Sequence, residues 1–227
     1  MPRAARLVFP EVAHHIVQRG NRQQDIFLSD DNRRAYLRIL SLALQKHGTR
    51  CLAWCLMSNH VHLILVPHSV DGLRAPLSST HTSYAQLVNR EQKVSGHLFQ
   101  GRFSSYPMDD AHLMIATRYV ENNPVKAGLV AVAEDWPWSS ARAHVEGVAD
   151  DLTDVAAVGQ HVANWKAFLR ESVEASDRVE ASVLSGKPLA EPQWWAELAE
   201  RNGIALTSPK IGRPQKAQKE GQSLLLS

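Results

Sequence analysis

The sequence is poor in cysteine and nearly balanced in charge. Only two of its 227 residues are cysteine, and the formal net charge is +2. Two cysteines are too few for the disulfide framework of a small secreted domain, so that class of protein is excluded. Because the net charge is so small, nucleic-acid binding has to be inferred from where lysine and arginine cluster. The apolar content of 44% is ample for a buried core.

Long apolar runs are also missing. No uncharged apolar run reaches the roughly 18 residues that a membrane-spanning helix requires. The first ten residues, MPRAARLVFP, lack the apolar centre of a signal peptide. The sequence therefore predicts a soluble, cytoplasmic protein with no membrane association.

The two cysteines lie four residues apart in an apolar stretch with strand-like alternation. Residues at even spacing share one face of a strand, so Cys51 and Cys55 are expected on the same face. We interpret them as reduced thiols of the core, with a metal or disulfide role as the alternative.

Hydrophobic patterning predicts seven elements in the order strand, helix, strand, strand, helix, strand, helix. The strands are predicted at residues 14–18, 50–56 and 60–66, and within residues 97–108 around a turn near Gly101. The first helix begins at an Asp30 or Asp31 cap and ends at His47-Gly48, the second follows a loop around Pro76 within residues 71–91, and the third runs from an Asp109 cap to about Glu121, where Asn122-Asn123-Pro124 ends it. This order predicts an α+β fold of the split βαβ, ferredoxin-like kind, with helices packed on an antiparallel sheet.

Composition divides the chain into three predicted parts. Residues 1–147 hold the seven elements, and residues 148–207 have amphipathic helical character. Residues 208–227 begin with a basic stretch that has almost no apolar side chain, which is typical of a disordered tail.

A pair of histidines on one predicted strand is the sharpest chemical signal. His60 and His62 are separated by one residue, so both imidazoles project from the same strand face, while Val61, Leu63 and Leu65 fill the other. Two adjacent imidazoles suit a first-row metal ion. The alternative is a pair of histidines that only satisfy hydrogen bonds on a half-buried sheet.

A tyrosine near the end of the third helix is the second signal. Residues three and four apart share a helix face, so Tyr119 and a polar group at Asn122 or Asn123 could face the same metal ion. A nucleophile and a metal ligand would then be linked through one helical turn.

Five motifs together resemble the REP-associated tyrosine transposases, relatives of the single-tyrosine transposases of the HUH endonuclease superfamily. They are the opening Pro2-Arg3 with Arg19-Gly20-Asn21-Arg22, the His60-Val61-His62 strand after Leu56-Met57-Ser58-Asn59, His97 to Phe103, Tyr119 to Val130, and Glu134 to Ser140. The resemblance covers about residues 2–145, and Gly186 to Leu189 and Gly212 to Pro214 are similar to the C-terminal extension of one branch of the family.

The resemblance implies a transposase-like enzyme that cleaves and rejoins single-stranded DNA at hairpin-forming palindromic repeats. It implies that His60 and His62 bind Mg²⁺ or Mn²⁺ and that Tyr119 forms a 5′-phosphotyrosine intermediate. It also implies a third ligand one helical turn after the tyrosine, which is Asn123 here. Because Pro124 disfavours helical geometry at the residue before it, Asn122 and Glu121 stay open as alternatives.

Basic residues close to glycines mark the expected DNA path, because glycine lets a phosphate backbone approach closely. They are Arg19 and Arg22 in the first turn, Arg90 and Lys93 near a helix end, Arg102, and Arg213 in the tail. Arg213 lies in a Gly-Arg-Pro unit that weakly resembles minor-groove arms, although a solubilising tail is the alternative. The expected partners are single-stranded or hairpin DNA, and the chain is expected to act as a monomer or homodimer.

Two rival functions remain at this point. A DNA-binding regulator derived from such an enzyme would bind palindromic repeats without cutting them. A zinc-dependent hydrolase or structural zinc protein would use Cys51, Cys55, His60 and His62.

The remaining aromatic and histidine candidates receive simpler assignments. Tyr36, Tyr84 and Tyr106 are expected to pack or to stack on DNA. His14, His15 and His97 could line the site, although packing or surface roles are favoured for them.

Overall fold

A four-stranded sheet organises the protein, whose computed structural model describes residues 7–171, 176–185 and 187–204. The strands are β1 (His14–Arg19), β2 (Arg50–Leu56), β3 (His60–Val66) and β4 (Ser104–Pro107). Their order in the sheet is β2-β3-β1-β4, and every neighbouring pair is antiparallel. This is the arrangement of the split βαβ, ferredoxin-like fold, and it confirms the predicted α+β class.

Helices cover both faces of the sheet. The three long ones are α1 (Asp30–Lys46), α2 (Arg74–Gln92) and α3 (Asp110–Lys126). Side chains of α1 and α2 form one apolar core with Ile16, Leu63 and Leu65 of the sheet. Side chains of α3 form a second core with Ile64 and Val66 on the opposite face. The α3 face is the one that carries the candidate site.

Two helix boundaries differ from the prediction. Helix α1 is capped by Ser29, whose Oγ accepts the Asn32 N–H at 3.2 Å, so neither Asp30 nor Asp31 is the cap. Those aspartates occupy the first turn, where a carboxylate also favours the helix dipole. Helix α2 contains no internal loop, because Pro76 lies in the first turn, where its missing N–H has no helical partner to lose.

A β-bulge in β2 separates the two cysteines. Cys51 pairs with Leu65 and Ala53 pairs with Ile64, so one extra residue, Leu52, enters the strand between them. Cys51 therefore packs in the α1/α2 core and Cys55 in the α3 core. The expectation that both point to one face is wrong, because it assumed an unbroken alternation.

The described chain beyond Gly147 contains further helices, as predicted. Helix α4 (Ala141–Glu146) ends just before Gly147. The helices after it are α5 (Val155–Gly159), α6 (Trp165–Arg170), α7 (Ser176–Ser185) and α8 (Pro192–Arg201). The described residues fall into two compact units that divide between Glu191 and Pro192, with α8 in the second. The division at residues 147 and 207 stays a prediction, and the predicted tail at residues 208–227 lies outside the described residues. None of the helices in the described ranges is long and apolar enough to cross a membrane.

Candidate active site

Strand β3 places His60 and His62 side by side on the α3 face. Their ring centroids are 4.9 Å apart, and the rings are nearly perpendicular. The intervening Val61 and the following Leu63 belong to the α1/α2 core on the other face. The strand pleat thus produces the predicted pair of imidazoles.

The Nδ1 atom of each imidazole forms a hydrogen bond with a neighbouring side chain. Nδ1 of His60 bonds Oδ1 of Asn59 at 2.6 Å, and Nδ1 of His62 bonds Nε2 of His15 at 2.8 Å. Nε2 of His62 is buried and has no hydrogen-bond partner in the described part of the chain. The Nε2 atoms are consequently the ones available to a metal ion.

Burial keeps these histidines neutral. Desolvation, helped by the Arg19 charge, lowers the pKa of His60 to about 4. Desolvation lowers the pKa of His62 well below its usual value, with further lowering by His15, His60 and Arg19. Desolvation lowers the pKa of His15 to about 3. A neutral imidazole is the form that ligates a metal, so the pair needs no proton loss at neutral pH.

Helix α3 brings Tyr119 to this pair. The Tyr119 ring centroid lies 5.6 Å from that of His62 and 6.1 Å from that of His15, edge to face in both cases. The start of α3 is fixed by Asp109, whose Oδ1 accepts the His112 N–H at 2.8 Å, as predicted for this cap. The tyrosine and the two imidazoles therefore share one face of the sheet.

The Tyr119 hydroxyl is in a mixed electrostatic environment. Burial raises the pKa of Tyr119, and Glu180 raises it further. Lys126, a hydrogen bond with Asn123 and the Arg19 charge act in the opposite direction. Because the net effect raises the pKa of Tyr119, the phenol is protonated at neutral pH.

Pro124 does not end the tyrosine helix. Helix α3 continues to Lys126, so the predicted stop at residues 122–124 is wrong. A proline in a helix loses the hydrogen bond of its missing N–H and crowds the carbonyl oxygen four residues before it, but its fixed φ fits a helix, and Pro124 lies in the last turn. Asn123 stays helical before it, and its Nδ2 donates to the Tyr119 carbonyl oxygen at 2.9 Å. Asn123 thus lies one turn after Tyr119, on the same side of the helix.

The two alternative ligand candidates are engaged elsewhere. The Glu121 carboxylate is fully buried and accepts hydrogen bonds from Ser140 Oγ at 2.5 Å, His144 Nδ1 at 2.5 Å and Trp165 Nε1 at 2.8 Å. Asn122 donates from Nδ2 to the Leu169 carbonyl oxygen at 2.9 Å. Of the three candidates, Asn123 is the one that bonds Tyr119 itself.

The zinc set predicted from the sequence does not assemble in this structure. Within the described ranges, no group of three or more His, Cys, Asp or Glu side chains could hold a metal ion. The zinc set predicted above cannot converge, because Cys51 and Cys55 lie on opposite faces of the sheet. Burial also raises the pKa of both thiols, which disfavours the thiolate that zinc requires.

The predicted DNA-contacting residues that lie within the described ranges are exposed but not equally close to this site. Arg19 pairs with His60 across β1 and β3, and its charge acts on His60, His62 and Tyr119. Arg22 follows in the next turn, Arg90 and Lys93 lie at the end of α2, and Arg102 lies in the loop before β4. Arg213 lies outside the described residues.

The glycines near these cations differ in function from one another. A Cβ on Gly20 would lie 2.1 Å from the Gln24 carbonyl oxygen, so this glycine serves the close packing of its own turn. Gly101 has a φ of +145° and open space around its Cα. Only the second is suited to the close approach of a phosphate.

His15 is the residue beside the histidine pair that sequence reasoning undervalued. Its ring is 1% exposed and bonds His62. By contrast, His14 lies on the other face, where it stacks on Phe9, and His97 is exposed. Strand alternation places His15 on one face or the other, but only the register between β1 and β3 shows that this face is that of His62. Tyr36, Tyr84 and Tyr106 are buried, as their packing assignment requires.

Comparison with known proteins adds a family to this geometry. The sequence model of the family described as "Transposase IS200 like" matches residues 9–123, which include both histidines, Tyr119 and Asn123. A candidate REP-associated tyrosine transposase of Haemophilus influenzae is 29% identical over 100 residues, covering 39% of this chain and 57% of that protein. The chain therefore matches little more than half the length of this relative.

A solved structure shares the fold. It is described as a REP-associated tyrosine transposase bound to a REP hairpin, and it superposes with a TM-score of 0.56 at 19% identity. The match covers 68% of this chain and 93% of the other. At that identity the likeness establishes the fold alone. Together these comparisons confirm the resemblance that the sequence motifs indicated.

Proposed function

The chain belongs to the IS200-like transposase family, and from that premise we propose that it cuts and rejoins single-stranded DNA at hairpin-forming palindromic repeats. Tyr119 is the nucleophile of this proposal. The observation that carries it is the edge-to-face contact of Tyr119 with His62, with ring centroids 5.6 Å apart. This contact supports assigning the Tyr119 hydroxyl and the two imidazoles to one site.

The chemistry assigns one role to each group. The Tyr119 oxygen attacks a DNA phosphorus as the bond to the 3′ oxygen breaks, the phenol loses its proton, and the leaving oxygen gains one. The products are a 5′-phosphotyrosine and a free 3′ hydroxyl. Attack of another 3′ hydroxyl on the phosphotyrosine reseals DNA and restores the phenol, so the reaction rejoins strands as well as cutting them.

The metal-binding groups in this proposal are Nε2 of His60, Nε2 of His62 and Oδ1 of Asn123. Mg²⁺ or Mn²⁺ held by these residues would supply positive charge to the phosphate and its leaving oxygen. The chain's own contribution is to orient the two imidazoles and to hold Tyr119 one turn before Asn123 on a rigid helix. Arg19, beside His60, adds a fixed positive charge next to the phosphate.

Two clefts offer room for the DNA. One of about 440 Å³ borders Tyr119 and is lined by two cations, Lys126 and Arg170, and by two carboxylates, Glu134 and Glu171. Another of about 570 Å³ lies between α2 and residues 96–102 and includes Phe99 and Arg102. Aromatic and guanidinium groups of this kind stack on unpaired bases. The hairpin partner of the structural relative and a cytoplasmic location are consistent with this proposal.

A covalent-adduct assay tests the proposal. The protein is incubated with Mn²⁺ and hairpin oligonucleotides that carry single-stranded flanks of randomised sequence, then run on a denaturing gel. We expect a protein–DNA adduct that Tyr119→Phe abolishes. Tyr106→Phe is the matched control, because it removes a phenol hydroxyl that donates to the Val183 carbonyl oxygen on the same sheet face.

Three outcomes contradict the proposal or refine it. No adduct with the wild-type protein, or an adduct that persists in Tyr119→Phe, would reject Tyr119 as nucleophile. Hairpin binding without an adduct in any divalent metal would favour the DNA-binding regulator. The proposal includes both a monomer and a homodimer as the acting form. Light scattering of the DNA complex would decide between them.

A further inference from the structure

His15 and His62 form a buried imidazole pair. Nε2 of His15 lies 2.8 Å from Nδ1 of His62, and the rings are nearly parallel, with centroids 5.1 Å apart. Each residue is only 1% exposed. A single proton bridges the two nitrogens in the neutral pair, and its location decides which atom of His62 has a lone pair for a ligand.

The neighbouring imidazole shows what such a contact does. Nδ1 of His60 lies 2.6 Å from Oδ1 of Asn59, and an amide oxygen can only accept. The proton of neutral His60 is therefore on Nδ1, and its Nε2 has a lone pair. His15 occupies the equivalent position at His62.

We propose that His15 is a positioning residue that accepts the Nδ1 proton of His62 and so leaves Nε2 of His62 as the ligand atom. The inference rests on the proposed function in that the histidine pair binds a divalent cation. It extends that function by assigning a role to a residue on a different strand, β1. Outer partners that hold a ligating imidazole in this way raise its affinity for metal.

The reverse direction of the hydrogen bond is disfavoured. If His15 donated, Nε2 of His62 would carry the proton of the neutral ring. That atom is buried without a hydrogen-bond partner in the described residues. An orphaned buried N–H is costly, on the order of 1–3 kcal/mol, whereas an orphaned lone pair is available to a cation.

Two substitutions at position 15 should give distinct results. In His15→Phe the ring and its stacking remain but the acceptor is absent, so Mn²⁺ affinity should fall by about 10- to 100-fold. In His15→Gln the side-chain amide oxygen takes the place of Nε2, so most of the affinity should return. His14→Phe is the matched control, because His14 is equally buried, adjacent in sequence and on the opposite face, and its Mn²⁺ affinity should stay within about twofold of wild type.

Two measurements decide the question. Long-range ¹H–¹⁵N NMR of the metal-free wild-type protein reports the tautomer, and we expect the His62 proton on Nδ1. Calorimetry with Mn²⁺ gives the affinities, with circular dichroism to verify folding. A proton on Nε2 of His62, or full affinity in His15→Phe, would overturn the role. If His15→Phe does not fold, the tautomers of the wild type and His15→Gln decide alone.

This outcome is separable from that of the adduct assay. An adduct formed by a wild-type protein whose His62 carries its proton on Nε2 would reject the positioning role and leave DNA cleavage intact. The predicted tautomer and Mn²⁺ affinities without any adduct would reject cleavage and leave the positioning role intact.

Discussion

Asn123 reaches back one turn of α3 and donates its side-chain N–H to the carbonyl oxygen of Tyr119 at 2.9 Å. The contact survives because α3 continues through Pro124. It fixes the side chain that the proposal uses as third ligand next to the residue that it uses as nucleophile. The metal preference of the site should therefore respond to a change at this one position.

Asn123→Asp should tighten Mg²⁺ binding. A carboxylate is a better ligand than an amide for a hard cation, and each added charge raises affinity. The substitution also removes the N–H that donates to the Tyr119 carbonyl oxygen, so the expected gain of about tenfold, or about 1.4 kcal/mol, is the net of the two changes. Calorimetry with Mg²⁺ measures it. Asn122→Asp is the matched control, because it adds the same charge one residue away; an equal gain there would mean that only long-range attraction had changed.

Trp165→Phe should destabilise the protein through Glu121. The indole N–H donates to the buried Glu121 carboxylate at 2.8 Å. A hydrogen bond to a carboxylate contributes about 2 kcal/mol to stability. Trp136→Phe removes a donor to the neutral Leu56 carbonyl oxygen at 3.1 Å, so its cost should be nearer 1 kcal/mol. Urea denaturation compares the two. Equal losses would mean that the carboxylate adds nothing beyond an ordinary hydrogen bond.

Arg19→Gln should weaken hairpin binding and make the binding affinity less dependent on salt concentration. For single strands, removing one cation from a phosphate reduces the slope of log affinity against log salt by about 0.7. Fluorescence anisotropy at several salt concentrations measures this slope. Arg34→Gln is the comparison, since Arg34 lies on α1 and pairs with Asp31. A weaker affinity with an unchanged slope would argue against an interaction of Arg19 with phosphate.

The metal-free protein should lose stability in mild acid. Burial lowers the pKa of His14 to about 4 and of His15 to about 3, below the unfolded value of about 6.5. As pH falls below about 6.5, the unfolded chain binds protons that the folded chain does not, so the free energy of unfolding decreases by up to about 1.4 kcal/mol per pH unit for each group. Above that value these groups have no effect.

Urea denaturation between about pH 7 and about pH 5 measures this slope. His14→Phe removes one of the titrating groups and should make the dependence shallower. A slope unchanged by that substitution would mean that His14 does not titrate between the folded and unfolded states as its burial requires.

Much of the fold could be predicted because the patterns are local. Strand alternation gave β2 and β3 with their observed bounds, and the Asp109 cap gave the start of α3. The pairing of His60 with His62 follows from the pleat of one strand. These features depend on neighbours within a few residues, which a sequence displays directly.

The errors arose where distant contacts override a local pattern. The bulge at Leu52 is imposed by the register with β3, so no alternation rule reveals that Cys51 and Cys55 part. Pro124 stays inside α3 although its residue type usually ends a helix. His15 becomes part of the site through a strand pairing that spans 47 residues. Such features need the three-dimensional register, because the sequence displays only the order of its elements.

The buried carboxylate of Glu121 limits which part of this chain could be moved into another protein. The family match ends at residue 123, whereas the groups that form hydrogen bonds with the carboxylate, Ser140, His144 and Trp165, all come later in the chain. A chimera that contained only the matched stretch would include Tyr119 and the histidine pair. It would also include the buried Glu121 side chain without its three hydrogen-bond donors. A shortened protein that keeps these hydrogen bonds has to extend through α6.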